Sequence, residues 1–156
     1  LTYKGFIFIG LIRVNGEPYV IEYNCRMGDP ETEVVFPRLA NDLVELLQAI
    51  DEDKVGAFEV KADERAAAAV IVVSGGYPQA YQKGKKITGV EQTEGSLIFH
   101  AGTRMNGDDL VTNGGRVIAI TSYGDTFQDA LAISNKNAEI IQFEGKNYRR
   151  DIGFDL

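Results

Sequence analysis

A chain of 156 residues, 44% hydrophobic and 25% charged, has ordinary globular composition and room for one domain, or for one small domain with part of another. A net charge of -7 argues against nucleic acid or an anionic membrane surface as the main partner, and no apolar run approaches the roughly 18 residues that a membrane span needs. A single cysteine, Cys25, rules out an internal disulfide and a multi-thiolate zinc site, and fits a reducing, cytoplasmic setting.

The N-terminus, LTYKGFIFIGLIRV, has neither the charged start nor the small-residue cleavage site of a signal peptide. It reads as a strand entered in mid-stride without an initiator Met, the expected look of a fragment. Residues 6 to 24 predict a hairpin: Phe6 to Val14 and Tyr19 to Asn24 are rich in aromatic and β-branched residues, and Asn15-Gly16 between them tolerates the positive φ of a tight turn. From Glu31 the period turns helical, with Phe36, Leu39, Leu43, Leu46, Leu47 and Ile50 on one stripe. Pro37 splits this into a short helix and a longer one, the latter expected to start near Asn41 as N-cap. The charged segment 51–62, with Gly56 inside it, supplies the domain boundary, giving expected domains 1–56 and 57–156.

An apolar strand is predicted over Ala66 to Val73, stopping at Ser74-Gly75-Gly76-Tyr77-Pro78. Short strands are expected around Lys86 to Gly89, Ser96 to Ala101 and Val117 to Thr121, with turns at Asn106-Gly107 and Asn113-Gly114-Gly115. Thr126 with Asp129 three residues later forms a capping-box pattern that opens a helix to about Ile141. The sum is α+β, with antiparallel strands in both halves.

The chemistry concentrates in VIEYNCRMGDPETEV, residues 20–34. Alternate strand residues share a face, so Val20, Glu22 and Asn24 point one way and Ile21, Tyr23 and Cys25 the other. Glu22 and Asn24 lie about 7 Å apart at Cα by strand rise. A carboxylate and an amide carbonyl at that spacing suit a hard cation such as Mg²⁺. Arg26, one step further along the same side, places a guanidinium where it could grip a phosphate or carboxylate. The plainer account is a solvated loop whose acids meet the positive end of the following helix; it covers Asp29, Glu31 and Glu33. It does not cover Glu22, which is expected to be buried between Ile21 and Tyr23 and so to need a cation. Cys25 is expected to be a small buried hydrophobe rather than a nucleophile partnered by His100.

EYNCRMGDPETE resembles the signature of the glycinamide ribonucleotide synthetases, or phosphoribosylamine–glycine ligases, which are ATP-grasp enzymes of purine biosynthesis. DLVELLQA, ERAAAAVIVVSGGYPQAYQKGKKITG, FHAGT, TNGGRVIAIT and YRRDIG continue the likeness in family order over nearly the whole chain. The resemblance implies a C-terminal part of an ATP-grasp domain, an antiparallel hairpin plus helices, followed by a small mixed β-sheet or barrel-like domain with one long helix. It implies that Glu22 and Asn24 hold the Mg²⁺ (or Mn²⁺) that bridges the ATP phosphates, and that Arg26 is catalytic, facing the γ-phosphate and an acyl phosphate. Asp29, Glu31 and Glu33 fall where substrate-binding groups sit. The implied reaction joins glycine to 5-phosphoribosylamine with conversion of ATP to ADP and phosphate. It also implies a missing N-terminal half, carrying the glycine-rich loop, lysines and a further acidic metal ligand, without which this chain is expected to be inactive. Another carboxylate–amine ligase of the same superfamily, or a non-catalytic docking domain, is the competing expectation. The paired glycines are read as turns and His100 as a hydrogen-bonded structural residue; Arg149, Arg150 and Asp151 remain either a solvated tail or a docking strip.

Overall fold

Asn15 and Gly16 adopt φ of 53° and 90°, the left-handed geometry that a two-residue hairpin turn requires. They join β1 (Phe8–Val14) to β2 (Glu17–Asn24), antiparallel, with Phe8 opposite Asn24 and Gly10 opposite Glu22 and a bulge between Gly10 and Leu11. The computed structural model describes residues 2–154. The hairpin forms as the sequence predicts, but its burial does not: Ile9, Ile21 and Tyr23 are 48%, 65% and 67% exposed. Among the described residues both faces of this two-stranded sheet meet solvent over most of their length.

After β2 the chain turns through α1 (Thr32–Val35) and a 3₁₀ turn at Phe36–Arg38 that carries Pro37, then enters α2 (Leu43–Asp51). The cap of α2 is Asp42, whose Oδ1 accepts from the Val44 and Glu45 amides at 2.7 and 3.2 Å. Asn41, expected in that role, is instead committed sideways: its amide donates to Glu59 O at 3.0 Å and its Oδ1 accepts from Lys61 N at 2.5 Å. Leu39 bridges Ala62, and the Arg38 guanidinium donates to Asp63 O at 2.9 and 3.2 Å. These ties hold residues 59–63 to the first unit, so the division by contacts falls between Glu64 and Arg65, later than the composition shift after residue 56.

In the second unit, β3 (Ala66–Val73), β7 (Arg116–Gly124) and β4 (Ser96–His100) form a sheet of order β3-β7-β4, with β7 central. β5 (Thr103–Asn106) and β6 (Asp109–Thr112) form a separate hairpin about Gly107. Pairing within each sheet is antiparallel, as the strand pattern predicts for both halves, and not mixed as the resemblance implies. Lys86 and Thr88 make isolated bridges rather than a strand. α3 (Phe127–Ile140) packs on β3 and β7. Its capping box is complete: Thr126 Oγ1 accepts from Asp129 N, and Thr126 N donates to Asp129 Oδ2, both at 3.2 Å. At the other end the Lys146 ammonium donates to Ala138 O and Ile141 O at 2.8 and 2.7 Å. Val70, Val72, Val117, Ile118, Ile120 and Ile141 are all fully buried and make the core.

A polar seam runs through the contact between α3 and the sheet. Asn137, 1% exposed, donates to Glu94 O at 2.7 Å and to Ser96 Oγ at 2.6 Å, and its Oδ1 accepts from Glu94 N at 3.3 Å. Ser96 Oγ lies 2.6 Å from Ser122 Oγ, to which Ser134 Oγ donates at 2.8 Å. At one end of the sheet Gly115 lies beneath the Tyr77 ring, so close that a β-carbon there would collide with the ring.

Candidate functional site

The strand-end residues sit in the first unit. Glu22 and Asn24 do share a face of β2, and the Asn24 amide nitrogen donates to Glu22 Oε1 at 3.0 Å. That contact leaves the amide oxygen and the second carboxylate oxygen, two hard donors, with no hydrogen-bond partner among the described residues. Among the described residues no group of three His, Cys, Asp or Glu side chains is close enough to hold a metal ion. Two oxygens fit a cation that completes its shell with water and phosphate, as Mg²⁺ does, and do not fit a closed structural site.

Beside them opens a cleft of about 320 Å³, lined in part by Phe8, Gly10, Glu22, Arg26, Asp29 and Glu31. The Arg26 guanidinium is steadied by donating to Met27 O at 2.8 Å. Two glycines shape the walls. Gly10 faces Glu22 across the hairpin, and a β-carbon on it would stand 3.1 Å from Glu22 Cγ. Gly28 is buried, and a β-carbon there would stand 2.5 Å from Glu31 Oε2 and 2.8 Å from the Phe8 ring. Both residues leave room for a carboxylate side chain to fold across the backbone.

The structure therefore brings Glu22, Arg26, Asp29 and Glu31 to one cleft, with Asn24 joined to it through Glu22. Glu33, half-buried, does not line it. Two expectations are corrected. Glu22 is exposed, so burial of an unneutralised charge is no argument for a cation here. Cys25 is exposed as well, because the hairpin presents both faces to solvent. The sequence reading missed Phe8, Gly10 and Gly28; a glycine interrupting an apolar strand, as Gly10 does, was the available signal. A larger cavity of about 700 Å³ in the same unit is lined mainly by apolar side chains, among them Phe6, Met27, Phe36, Leu39, Leu46 and Ile50.

In the second unit, His100 is exposed, with Nδ1 3.0 Å from Thr103 Oγ1, the local pairing expected of a structural histidine. Arg149 grips Asp151 through two contacts of 3.0 Å, which holds the Asp151 carboxyl below its ordinary pKa, and Arg150 lies over the Tyr148 ring. These are local contacts within the terminal segment.

A two-unit α+β chain with a cleft of carboxylates and a guanidinium at a strand end is the class that fold and site define. The description "Phosphoribosylglycinamide synthetase, C domain" matches residues 67–155, and the chain belongs to this family. It is 47% identical over 155 residues to the phosphoribosylamine–glycine ligase of Chlorobaculum tepidum, covering 97% of this chain and 36% of the relative. It is 48% identical over 138 residues to a bifunctional purine biosynthetic protein of Dictyostelium discoideum, covering 86% of this chain and 17% of that one. The crystal structure of the phosphoribosylamine–glycine ligase of Thermotoga maritima superposes with a TM-score of 0.73 at 38% identity, over 93% of this chain and 36% of that structure. Urea carboxylase of Kluyveromyces lactis, at 15% identity and a TM-score of 0.53 over 85% of this chain and 12% of its own, shares the fold alone. The chain thus spans about a third of the length of the ligases it matches. Among the described residues no helix is long and apolar enough to cross a membrane.

Proposed function

We propose that this chain is the C-terminal part of an ATP-dependent carbon–nitrogen ligase that joins glycine to 5-phosphoribosylamine in cytoplasmic purine biosynthesis. The observation that carries the reading is the 47% identity to a phosphoribosylamine–glycine ligase across 97% of the chain, strand-end segment included. In this reading the first unit ends an ATP-grasp domain, whose remainder, with the adenine pocket and a further acidic ligand, belongs to the preceding part of the polypeptide. The second unit is the family's C-terminal domain.

Glu22 and Asn24 hold Mg²⁺ or Mn²⁺ through the carboxylate and amide oxygens. The ion, when bound, neutralises charge on the ATP phosphates. Arg26, fixed at a rigid strand end, offers its guanidinium to the transferring phosphoryl group. A glycine carboxylate oxygen attacks the γ-phosphorus and ADP leaves, giving glycyl phosphate. The amine nitrogen of phosphoribosylamine then attacks the acyl carbon, phosphate leaves, and the nitrogen gives up a proton. This chemistry needs positioning and charge stabilisation more than covalent help from the protein, which suits so polar a cleft.

The test joins this chain to the preceding part of the Chlorobaculum relative and assays ATP-dependent formation of glycinamide ribonucleotide. Activity is expected in the joined protein and none in the 156-residue chain alone, whose two oxygen donors bind the ion weakly. In the joined protein Glu22→Gln and Asn24→Leu should each depress turnover most at limiting Mg²⁺. Wild-type rates across a magnesium titration would remove both residues from the metal site.

A further inference from the structure

The Glu22 side chain lies closer to its cross-strand neighbour than ordinary pairing brings two side chains. Directly opposed residues in an antiparallel pair keep about 4.5–5.5 Å between their β-carbons. Gly10 is the residue opposite Glu22, and a β-carbon on it would stand 3.1 Å from Glu22 Cγ. The glutamate stem therefore lies over the bare backbone of β1 instead of standing clear of it. From there its Oε1 accepts from the Asn24 amide at 3.0 Å, so the placement of one side chain carries the other with it. The backbone does not ask for glycine here, since Gly10 lies outside the left-handed region that Gly16 occupies in the turn; the space does. The pairing also slips beside it. Gly10 faces Glu22 and Leu11 faces Val20, which leaves Ile21 as an extra residue on β2, and a bulge of this kind re-aims the side chain next to it.

We propose that Gly10, with the bulge at Ile21, is the positioning device for the divalent cation: it seats the Glu22 stem so that the Glu22 carboxylate and the Asn24 amide oxygen are offered together to the ion. The assignment rests on the ligase reading and deepens it, because it makes a residue without a side chain a determinant of metal affinity. A methyl on Gly10 has ordinary van der Waals room against the Phe8 ring, at 3.6 Å, and against Glu22 N, at 3.7 Å. The tightest contact is with Glu22 Cγ, so the glutamate stem must give by a few tenths of an ångström, and the carboxylate at its end moves with it. Metal ligation is sensitive to such shifts, since ligand distances are fixed to within about 0.2 Å.

The experiment uses the joined full-length protein and titrates it with Mn²⁺ alone, reading the free ion by electron paramagnetic resonance, beside the Mg²⁺ dependence of the ligase rate. Gly10→Ala should weaken Mn²⁺ binding about tenfold, the low end of what disturbed ligand support costs, and raise the Mg²⁺ needed for half-maximal rate by a similar factor. KM for glycine at saturating Mg²⁺ should not change. Tm should hold or rise, because alanine outside the left-handed region narrows the unfolded ensemble without strain. Gly16→Ala is the control: its φ of 90° strains an alanine, so Tm should fall while Mn²⁺ affinity stays. Unchanged Mn²⁺ affinity in Gly10→Ala would overturn the positioning role and leave the ligase function standing. Equal weakening in Gly16→Ala would overturn it too, since any loosening of the hairpin would then suffice. Weakened Mn²⁺ binding in Gly10→Ala, in a joined protein whose wild type shows no ligase activity, would uphold the positioning role and overturn the function. If the wild type neither binds Mn²⁺ nor forms product, both fall.

Discussion

Replacing Asn137 with leucine tests whether the polar seam between α3 and the sheet holds the second unit together. The side chains are similar in size, so the change removes hydrogen bonds without opening a large cavity. Asn137 makes three, at 2.6, 2.7 and 3.3 Å, and is 1% exposed. At about 1 kcal/mol net for each bond, roughly 3 kcal/mol is lost. Burying the leucine methyls in place of the amide returns about 1 kcal/mol. The expected destabilisation is about 2 kcal/mol, and for a unit of this size that lowers Tm by roughly 8–16 °C. Thermal unfolding followed by far-ultraviolet circular dichroism reads this directly. Asn135, two residues earlier on the same helix, is the control. Its Oδ1 is buried without a hydrogen-bond partner, so Asn135→Ala should leave Tm unchanged or raise it. A Tm for Asn137→Leu within about 2 °C of wild type, or an equal fall in both variants, would refute the claim that the seam's bonds are what fix α3.

Gly115→Ala should destabilise the second unit by about 1–3 kcal/mol, because the new methyl meets the Tyr77 ring; calorimetry checks it, and Tyr77→Ala in the same chain should restore part of the loss. Burial, and then the nearby Arg150, hold the Lys146 ammonium below its ordinary pKa of 10.5. Just below pH 10.5 the unfolded chain therefore keeps a proton that the folded chain has released, so stability should rise with pH in that window, and Lys146→Met should lose that part of the slope in denaturant titrations. In the joined full-length protein, Arg26→Lys keeps the charge but not the fork, and its loss should fall mainly on kcat. A change confined to KM for glycine would make Arg26 a ground-state contact only.

Local signals were the legible ones. Asn15-Gly16 set its turn, Thr126 and Asp129 set the start of α3, and the apolar run Ala66 to Val73 became β3 at its expected ends. Each is a short-range rule in which a residue's own conformational preference decides. What depended on distant partners was not legible. Asn41 and Asp42 are equally good caps on paper, and the choice fell to Asp42 because Asn41 is claimed by Glu59 and Lys61. β5 and β6 are only four residues each, too short for an alternation to announce them, and exist as a hairpin through mutual pairing. At the site, strand periodicity placed Glu22 and Asn24 on one face, and the bond between them follows. Burial of the hairpin was inferred from composition, which records what a strand can bury and not whether anything covers it. The walls of the cleft, Phe8 and the two glycines, come from β1 and from the loop after β2, and their meeting is a tertiary fact.

The uncovered hairpin has a consequence for how the isolated chain behaves as a material. In a sheet of only two strands every strand is an edge, and here the strands carry Ile9, Leu11, Ile12, Tyr19, Val20 and Ile21 at 50% exposure or near it and above. Such a surface is a template on which another extended segment can add, with main-chain hydrogen bonds and apolar contact both favouring it. Colloidal stability of the chain should therefore be set by its first unit, whereas the second, with its isoleucine and valine side chains sealed under α3, should stay dispersed at concentrations where the whole chain scatters light.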